Sequence, residues 1–154
     1  RSGRPPLLLA APMKKLLMLF LALACLMASG CDREKYASHR AERSKPKVSV
    51  GDNTLMIRRA PAPTILVMPD GSMKIDEIEI PLRPEQKQTL QTMFVQLQIL
   101  RQNTLAEAPA DPNMLPVKLK VPPGMQPIPA DLPEQIHEFK DYTASLGNLE
   151  ASRR

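Results

Sequence analysis

The sequence is poor in aromatic residues and in cysteine. Aromatic side chains make up 3% of its 154 residues, and tryptophan is absent. The large contributions that buried rings make to a core are therefore mostly missing, and nine Met with many Leu and Ile must fill it. The two cysteines, Cys25 and Cys31, are separated by five intervening residues and are not accompanied by His or a second Cys pair. This spacing excludes a CxxC redox or zinc motif.

The excess positive charge of the chain lies before Cys31. The formal net charge is +5, but four of the 21 basic residues precede Cys31 and all 16 acidic residues follow it. The part after Cys31 is therefore nearly neutral. A nucleic-acid footprint needs a basic patch that survives processing. Residues 32–59 come nearest to one, but their basic side chains are spread along the chain. They indicate a solvated spacer, and no nucleic-acid partner is expected.

An apolar run between a lysine pair and a cysteine dominates the N-terminal part. The lysine pair directly follows Met13, and Leu16–Leu26 is an eleven-residue apolar segment. This is the charge and length pattern of a secretory signal. The pattern predicts a signal peptide at 13–30 and indicates that residues 1–12, upstream of an internal methionine, are an extension that is not native.

The same run allows two other interpretations. Leu16–Ala28 has 13 residues and would span about 20 Å as a helix, short of the roughly 30 Å hydrocarbon core of a bilayer. A membrane-spanning helix is therefore disfavoured. Ala22-Leu23-Ala24 matches a small-x-small cleavage site, and cleavage there would release a secreted, unlipidated protein that begins at Cys25.

The end of the run is similar to a known processing motif. Ala28-Ser29-Gly30-Cys31 resembles the lipobox of bacterial lipoproteins, with Ala28 where that family most often has Leu. The resemblance implies cleavage between Gly30 and Cys31, acylation of Cys31, and anchoring in a membrane of the cell envelope, facing the periplasm. Two or more acyl chains anchor a protein stably. Asp32 resembles the enteric signal for retention at the inner membrane, which slightly favours that membrane over the outer one.

Residues 31–47 are predicted to be a lipidated tether. Nine charged side chains lie in residues 32–47, without a period that would place an apolar face. The segment is therefore interpreted as a spacer. Tyr36 is its lone aromatic residue. His39 is expected to be solvated, because no partner ligands for a metal lie nearby.

Residues 48–108 are predicted to form a small α+β domain, a β-hairpin or meander packed on one amphipathic helix. Several short apolar segments are separated by polar or turn residues, namely Val48–Val50, Leu55–Ile57, Thr64–Met68, Met73–Ile75 and Ile78–Ile80. Residues 68–72 form an x-P-D-G-x turn in which Gly71 supplies a positive φ. Asp76, Glu77 and Glu79 are interpreted as the turn and polar face of a hairpin rather than as a metal or acid–base cluster.

The helix of this domain is predicted at Pro84–Ala108. Pro84 suits a first helical turn, and Glu85 complements the helix dipole. A stripe at helical spacing is expected to pack on the sheet, and comprises Leu90, Met93, Phe94, Leu97, Leu100 and Thr104, widened by Val95 and Ile99. A partner-binding role for this helix stays open.

The C-terminal third is rich in proline. Eight of the 17 prolines lie in residues 109–133, so an extended and partly disordered Pro-rich linker is predicted at 109–131. Val117–Val121 alternates and is expected to add as an edge strand, to this domain or to another chain. Much of the chain outside the small domain is thus expected to lack regular structure.

A short C-terminal helix is predicted at about 132–146, followed by a tail to residue 154. The D-x-x-E pattern at Asp131 indicates a capping box, and Gly147 indicates a C-cap. The predicted apolar face consists of Ile136, Phe139, Thr143 and Leu146. His137, Glu138 and Asp141 lack a nucleophile or a third partner, so they are interpreted as a solvated face.

A second resemblance concerns the small domain. Ile65–Gly71, a short strand pair and Pro84-Glu85-Gln86 opening a Gln-rich helix together resemble a segment of YggN-like periplasmic proteins. That resemblance implies a periplasmic setting and no particular activity.

The expected function is that of a non-enzymatic, membrane-anchored lipoprotein. It would act as an envelope interaction or accessory protein, without cofactor or metal, and would contact another envelope protein through the Pro-rich arm or the helix 84–108. The alternative is a secreted or periplasmic small ligand-binding protein or enzyme that uses the carboxylates of residues 76–79 or His137.

Overall fold

The computed structural model describes residue 3, residues 7–28 and residues 30–154. Ser29 of the lipobox motif lies outside the described residues, as do residues 1, 2 and 4–6 of the upstream extension and the side chain of Cys31. The chain divides into two units, Arg1–Arg43 and Ser44–Arg154.

The N-terminal unit contains two helices, α1 at Leu7–Ala28 and α2, which begins at Gly30 and ends at Ser44. Helix α1 includes the whole apolar run of the predicted signal. Within residues 3, 7–28 and 30–154, none of the helices combines the length and the hydropathy that a membrane crossing needs.

Helix α2 was not predicted, because it has no apolar face by which a helical period could be recognised. Its sequence is nevertheless rich in Glu, Arg, Lys and Ala, which favour helices intrinsically. Local contacts add to this preference. The Arg40 guanidinium lies 5.8 Å from the centre of the Tyr36 ring, and Ser38 Oγ donates to the Lys35 carbonyl at 2.8 Å. The predicted tether is therefore helical over most of its length.

The second unit is α+β, built on one mixed sheet. The described residues form seven strands, β1 Lys47–Val50, β2 Leu55–Arg58, β3 Ile65–Val67, β4 Met73–Ile75, β5 Ile78–Ile80, β6 Val117–Lys118 and β7 Leu149–Ala151, in the order β5-β4-β3-β2-β1-β7-β6. Strands β1 to β5 form an antiparallel meander, which confirms the predicted meander. Strand β7 pairs parallel with β1 and antiparallel with β6.

Alternation along the strands builds the core on one face of the sheet. In β1 and β2 every second residue is buried. The register aligns Val48 with Ile57, and Ile57 with Ile65, so that inward side chains form continuous rows. Outward residues such as Met56 and Leu66 are half-buried. Ile78, predicted to share the apolar face with Ile80, is 68% exposed because it lies at the edge of the sheet.

Helix α3 is the main element that covers this face, and it runs from Pro84 to Glu107. The residues predicted to pack on the sheet are all buried, namely Leu90, Met93, Phe94, Leu97, Leu100 and Thr104. The predicted widening of the stripe is wrong, since Val95 and Ile99 are 51% and 53% exposed. Only one face of α3 is buried against the sheet, and Val95 and Ile99 lie on the exposed side of the helix.

Arg101 is a buried charged residue of α3 that lies outside the predicted packing stripe. It is 7% exposed. Its Nε donates to the Ser152 carbonyl at 2.8 Å, and its guanidinium lies 2.6 Å from the Asp52 carboxylate. Arg101 therefore links α3 to the end of the chain and to the β1–β2 turn.

The turn at residues 68–72 forms as predicted. Gly71 has φ of +82°, and Met68 N–H donates to the Ser72 carbonyl at 2.9 Å. A Cβ on Gly71 would lie 2.1 Å from the Lys87 carbonyl oxygen of α3. Glycine is required here both for the backbone conformation and for the close approach of the turn to the helix.

The Pro-rich arm is extended, but it is not a linker between separate parts. Val117–Lys118 adds to the sheet of this chain beside β7, so the edge-strand prediction is confirmed for this domain. Leu119 is 5% exposed, and Lys120 N–H donates to Thr104 Oγ1 at 3.0 Å. These contacts include the arm in the unit Ser44–Arg154, and the predicted boundary at residue 108 is wrong.

The predicted C-terminal helix is broken into three pieces, α4 at Leu132–Gln135, a 3₁₀ helix at His137–Tyr142 and α5 at Thr143–Leu146. The buried residues recur every third position, at Ile136, Phe139, Tyr142 and Ser145. This is the period of a 3₁₀ helix rather than the 3.6 of an α-helix. Thr143, predicted to be on the apolar face, is exposed for this reason.

The start of this segment also differs from the prediction. Within Ser44–Arg154, the Asp131 carboxylate makes no cap bond and accepts instead from Gln135 Nε2 at 2.7 Å. Gly147 is the C-cap of α5, as predicted, and its φ of −86° is a conformation open to any residue. The tail then forms β7 in the interior of the sheet. This strand was not predicted, because it has only three residues, Leu149–Ala151.

Candidate functional site

The predicted lipidation site lies at the start of α2. Gly30 and Cys31 are the first two residues of that helix, and the predicted cleavage point is between them. The side chain of Cys31 lies outside the described residues, so the lipid anchor stays a prediction. The second unit, which contains the sheet, begins at Ser44.

The acidic residues of the alternative hypothesis lie on a hairpin turn. Asp76 and Glu77 connect β4 to β5 with positive φ values of 48° and 66°, and Glu79 is exposed on β5. Their interpretation as the turn and polar face of a hairpin is confirmed. Among the described residues, no three His, Cys, Asp or Glu side chains are grouped so that they could hold a metal ion.

Two of the acidic candidates, Asp76 and Asp141, nevertheless affect the pKa of one group, the hydroxyl of Tyr142. Burial raises the pKa of Tyr142 above its ordinary value, and the negative charges of Asp141 and Asp76 raise it further. The hydroxyl donates to the Pro63 carbonyl. A tyrosine whose pKa is raised keeps its proton, so this arrangement supports a structural hydrogen bond rather than a general base. His137 and Asp141 are exposed, and Glu138 is half-buried.

A concave surface lies between helix α3 and the Pro-rich arm. It is a groove of about 630 Å³. We call it the amide groove, and its lining residues are Glu85, Gln88, Thr89, Thr92, Met93, Gln96, Gln126, Pro127, Pro129 and Gln135. It is thus formed by the same two segments that the sequence indicated as partner-binding surfaces.

One wall of the amide groove follows from the period of α3. Glu85, Thr89, Thr92 and Gln96 recur at helical spacing and therefore form one stripe along the helix. Met93, which is 2% exposed, lies beneath them. From Glu85 to Gln96 the helix rises about 16 Å, which matches the length of about five residues of extended polypeptide.

The opposite wall comes from the arm and from α4. The Gln135 carbonyl accepts from Gln86 Nε2 at 2.8 Å, and Gln135 Oε1 accepts from Thr89 Oγ1 at 3.1 Å. These bonds attach α4 to the first turns of α3 and hold one end of the groove. Pro127 is buried and fixes the arm against the domain.

The chemistry of the groove is polar and nearly uncharged. Of the ten described lining residues, four are Gln and two are Thr, and Glu85 alone carries a charge. Gln88 and Gln126 are exposed, and Gln96 is half-buried. A glutamine amide both donates and accepts, as a peptide group does. The groove can therefore pair with the backbone of an extended chain whatever its side chains are.

A second, smaller recess lies further along α3. It has a volume of about 390 Å³ and lies between the end of the helix and residues 120–122. The Lys120 ammonium is 2.6 Å from the Glu107 carboxylate, and both residues line the recess. This ion pair lowers the pKa of Glu107. The recess is smaller than the amide groove and is lined by an exposed ion pair, so the amide groove is the better candidate site.

Comparison with known proteins provides no relative. No family model matches the chain, and no match is found among the curated proteins or the solved structures. The resemblances to lipoproteins and to YggN-like proteins therefore stay predictions.

Sequence reasoning identified both segments of the amide groove but not the groove itself. The glutamines of α3 that line the groove were not singled out in the sequence, and Gln126 lay within the predicted Pro-rich linker at 109–131. The signal that was present is the stripe of Thr and Gln at helical spacing in place of the charges that usually cover an exposed helix face. The second wall depends on the tertiary path of the arm, which has no local signature.

Proposed function

We propose that this chain is a membrane-anchored bacterial lipoprotein that binds an extended segment of another envelope protein in the amide groove. It would act as an accessory protein and not as an enzyme. The anchor is supported by the lysine pair, the apolar segment Leu16–Leu26 and the lipobox-like residues that end at Cys31.

The observation that carries the binding function is the composition and shape of the amide groove. A cleft about five extended residues long, lined by amides and hydroxyls and with one carboxylate, fits a polypeptide backbone better than a charged metabolite. Glu85 at one end favours a segment that carries a positive charge or an amino group there.

The anchor is tested by exchanging the two cysteines separately. Cys31→Ala is expected to abolish acylation and to move the protein out of the membrane fraction, or to leave it as the uncleaved precursor. Cys25→Ala is the matched control, because Cys25 lies inside the predicted signal peptide, and it should leave the mature protein unchanged. Intact mass spectrometry reads both results. An unmodified N-terminus at Cys25 in the natural chain would instead establish the secreted alternative.

The groove is tested by selecting uncharged and singly charged extended peptides on the purified full chain. Thr92→Trp fills the middle of the amide groove and is expected to lower the affinity of selected peptides at least about tenfold, since a bound backbone would lose its contacts. Gln102→Trp is the control, because Gln102 lies on α3 outside the groove. Peptides that bind both variants equally well would exclude the amide groove as the binding site.

A further inference from the structure

Helix α2 carries a basic and aromatic stripe along one face. Arg33, Tyr36, Arg40 and Arg43 recur at intervals of three and four residues, which brings them to the same side of an α-helix. All four are exposed, and Tyr36 is 70% exposed. The helix therefore has a basic face rather than the apolar face of an ordinary amphipathic helix.

The opposite side of α2 has different chemistry. Glu34, Lys35 and Glu42 lie there, about half a turn away from the stripe, together with Ser38 and Ala41. From Arg33 to Arg43, the stripe thus has three positive charges and an aromatic ring, whereas the opposite side has two carboxylates and one lysine. This asymmetry was hidden in the sequence, because basic and acidic residues alternate along the chain and become separated only in the helix.

The stripe matches the chemistry of an anionic bilayer surface. Arginine side chains are attracted to anionic headgroups, and tyrosine is enriched at the membrane–water interface. The Arg40 guanidinium stacks near the Tyr36 ring, so charge and ring are presented together. Arg33 is two residues after Cys31, so an acyl anchor at Cys31 would place the first turn of α2 at the headgroups.

We infer that α2 lies along the surface of an anionic membrane, with Arg33, Tyr36, Arg40 and Arg43 facing the lipid headgroups. The inference rests on the proposed function in one respect, because the proposed anchor at Cys31 is what brings α2 close to the membrane. The tether is then a surface-bound helix instead of a flexible spacer, and its binding depends on lipid charge.

The absence of tryptophan from the sequence allows a direct test. Tyr36→Trp places a single reporter in the stripe, and Ser38→Trp places the same reporter on the opposite side. The protein, purified from whole cells in detergent, is reconstituted into vesicles of phosphatidylcholine with or without phosphatidylglycerol. With phosphatidylglycerol, the emission of the Tyr36→Trp protein should shift to the blue and be largely quenched by brominated lipid. The Ser38→Trp protein should show neither change.

Charge variants provide the matched control. In the Tyr36→Trp protein, Arg43→Gln should reduce the blue shift, and Lys35→Gln, with the same change of charge on the opposite side, should leave it in place. Added salt should also weaken the shift, because salt screens surface charges. Equal spectra with and without phosphatidylglycerol, or equal quenching at positions 36 and 38, would overturn the inference.

The intact mass of the same preparation separates this inference from the proposed function. An acylated Cys31 with equal spectra on both lipids refutes the orientation of α2 alone. An unacylated Cys31 with an asymmetric response refutes the anchor alone, because the vesicle measurement reads the helix whether or not lipid is attached.

Discussion

Helices α2 and α3 are both rich in polar residues, but different interactions hold them. Helix α3 buries one face against the sheet, including Leu90, Leu97 and Leu100. Every side chain of α2 from Arg33 to Ser44 is exposed. Helices of about 12–15 residues are only marginally stable in water without tertiary packing. Helix α3 should therefore form and unfold with its domain, whereas α2 depends on local contacts and on the surface that it meets.

The comparison is tested most strongly by removing buried volume from α3. Leu97 is fully buried, and Leu97→Ala should lower the free energy of unfolding by about 3 kcal/mol through lost burial and the cavity left behind. Val95→Ala, on the exposed side of the same helix, should change it by less than about 0.5 kcal/mol. Chemical denaturation followed by Tyr142 fluorescence measures both, in a Tyr36→Phe background that leaves one tyrosine.

The contact between the 68–72 turn and α3 should be nearly as sensitive. Gly71→Ala is expected to cost about 2–3 kcal/mol, because a positive φ strains any L side chain and the new Cβ meets the Lys87 carbonyl. Gly124 has a similar φ of +83° with open space around it. Gly124→Ala should therefore cost only about 1 kcal/mol. An equal loss of unfolding free energy in the two variants would show that α3 shifts to accommodate the new Cβ at residue 71.

Arg101 should have a smaller effect. Arg101→Met keeps most of the buried stem but removes the bonds to the Ser152 carbonyl and to Asp52, and it should cost about 1–2 kcal/mol. Lys120→Met is the control, since it breaks the exposed pair with Glu107 and should destabilise the domain less than Arg101→Met does. The same denaturation experiment distinguishes them, and a loss at Lys120 equal to that at Arg101 would contradict the difference in burial.

The burial of Arg101 is a feature of α3 that could not be predicted from the sequence. The inward face of α3 was predicted correctly, because apolar side chains at a period of 3.6 have one stable way to meet a sheet. A buried arginine cannot be recognised in this way, since its partners, the Ser152 carbonyl and Asp52, are about 50 residues away along the chain. The meander and the 68–72 turn were also predictable from local sequence, because the strands alternate between apolar and polar residues and the turn contains Pro-Asp-Gly.

The elements that were missed depend on tertiary contacts or on a different period. Strand β7 is stabilised by pairing with β1 and β6, and its three residues carry no strong preference of their own. The C-terminal segment follows a period of three, so an α-helical template placed Thr143 instead of Tyr142 in the core. Half of the amide groove was visible as a polar stripe on α3, and the other half required the path of the arm.

A pH effect of modest size is expected at the turn beside α3. The Ser72 hydroxyl donates to the Asp70 carboxylate at 2.6 Å, and the Ser72 N–H donates at 3.0 Å. These bonds lower the pKa of Asp70 below its ordinary value of 3.8. The stability that these hydrogen bonds contribute is therefore complete at pH values above the ordinary pKa of Asp70. It is lost as the pH falls through the lowered pKa of Asp70 in the folded protein.

Asp70→Asn removes this titration. The difference in unfolding free energy between the natural chain and Asp70→Asn should be largest near neutral pH and should close as the solution is acidified. Denaturation midpoints measured between neutral pH and pH values below the ordinary pKa provide the test. A difference that stays constant with pH would show that Asp70 does not titrate with a shifted pKa.

The finest test compares one helix-breaking change in the two helices. A glycine inside a helix costs about 1 kcal/mol relative to alanine. Gln102→Gly at an exposed position of α3 should lower the stability that Tyr142 reports, because α3 unfolds with the domain. Ala37→Gly in α2 should leave that stability unchanged and instead speed amide hydrogen exchange in residues 33–43. If anionic vesicles slow this exchange in the natural chain and Ala37→Gly reduces the protection, then α2 is a helix whose stability is supplied by the membrane rather than by the fold.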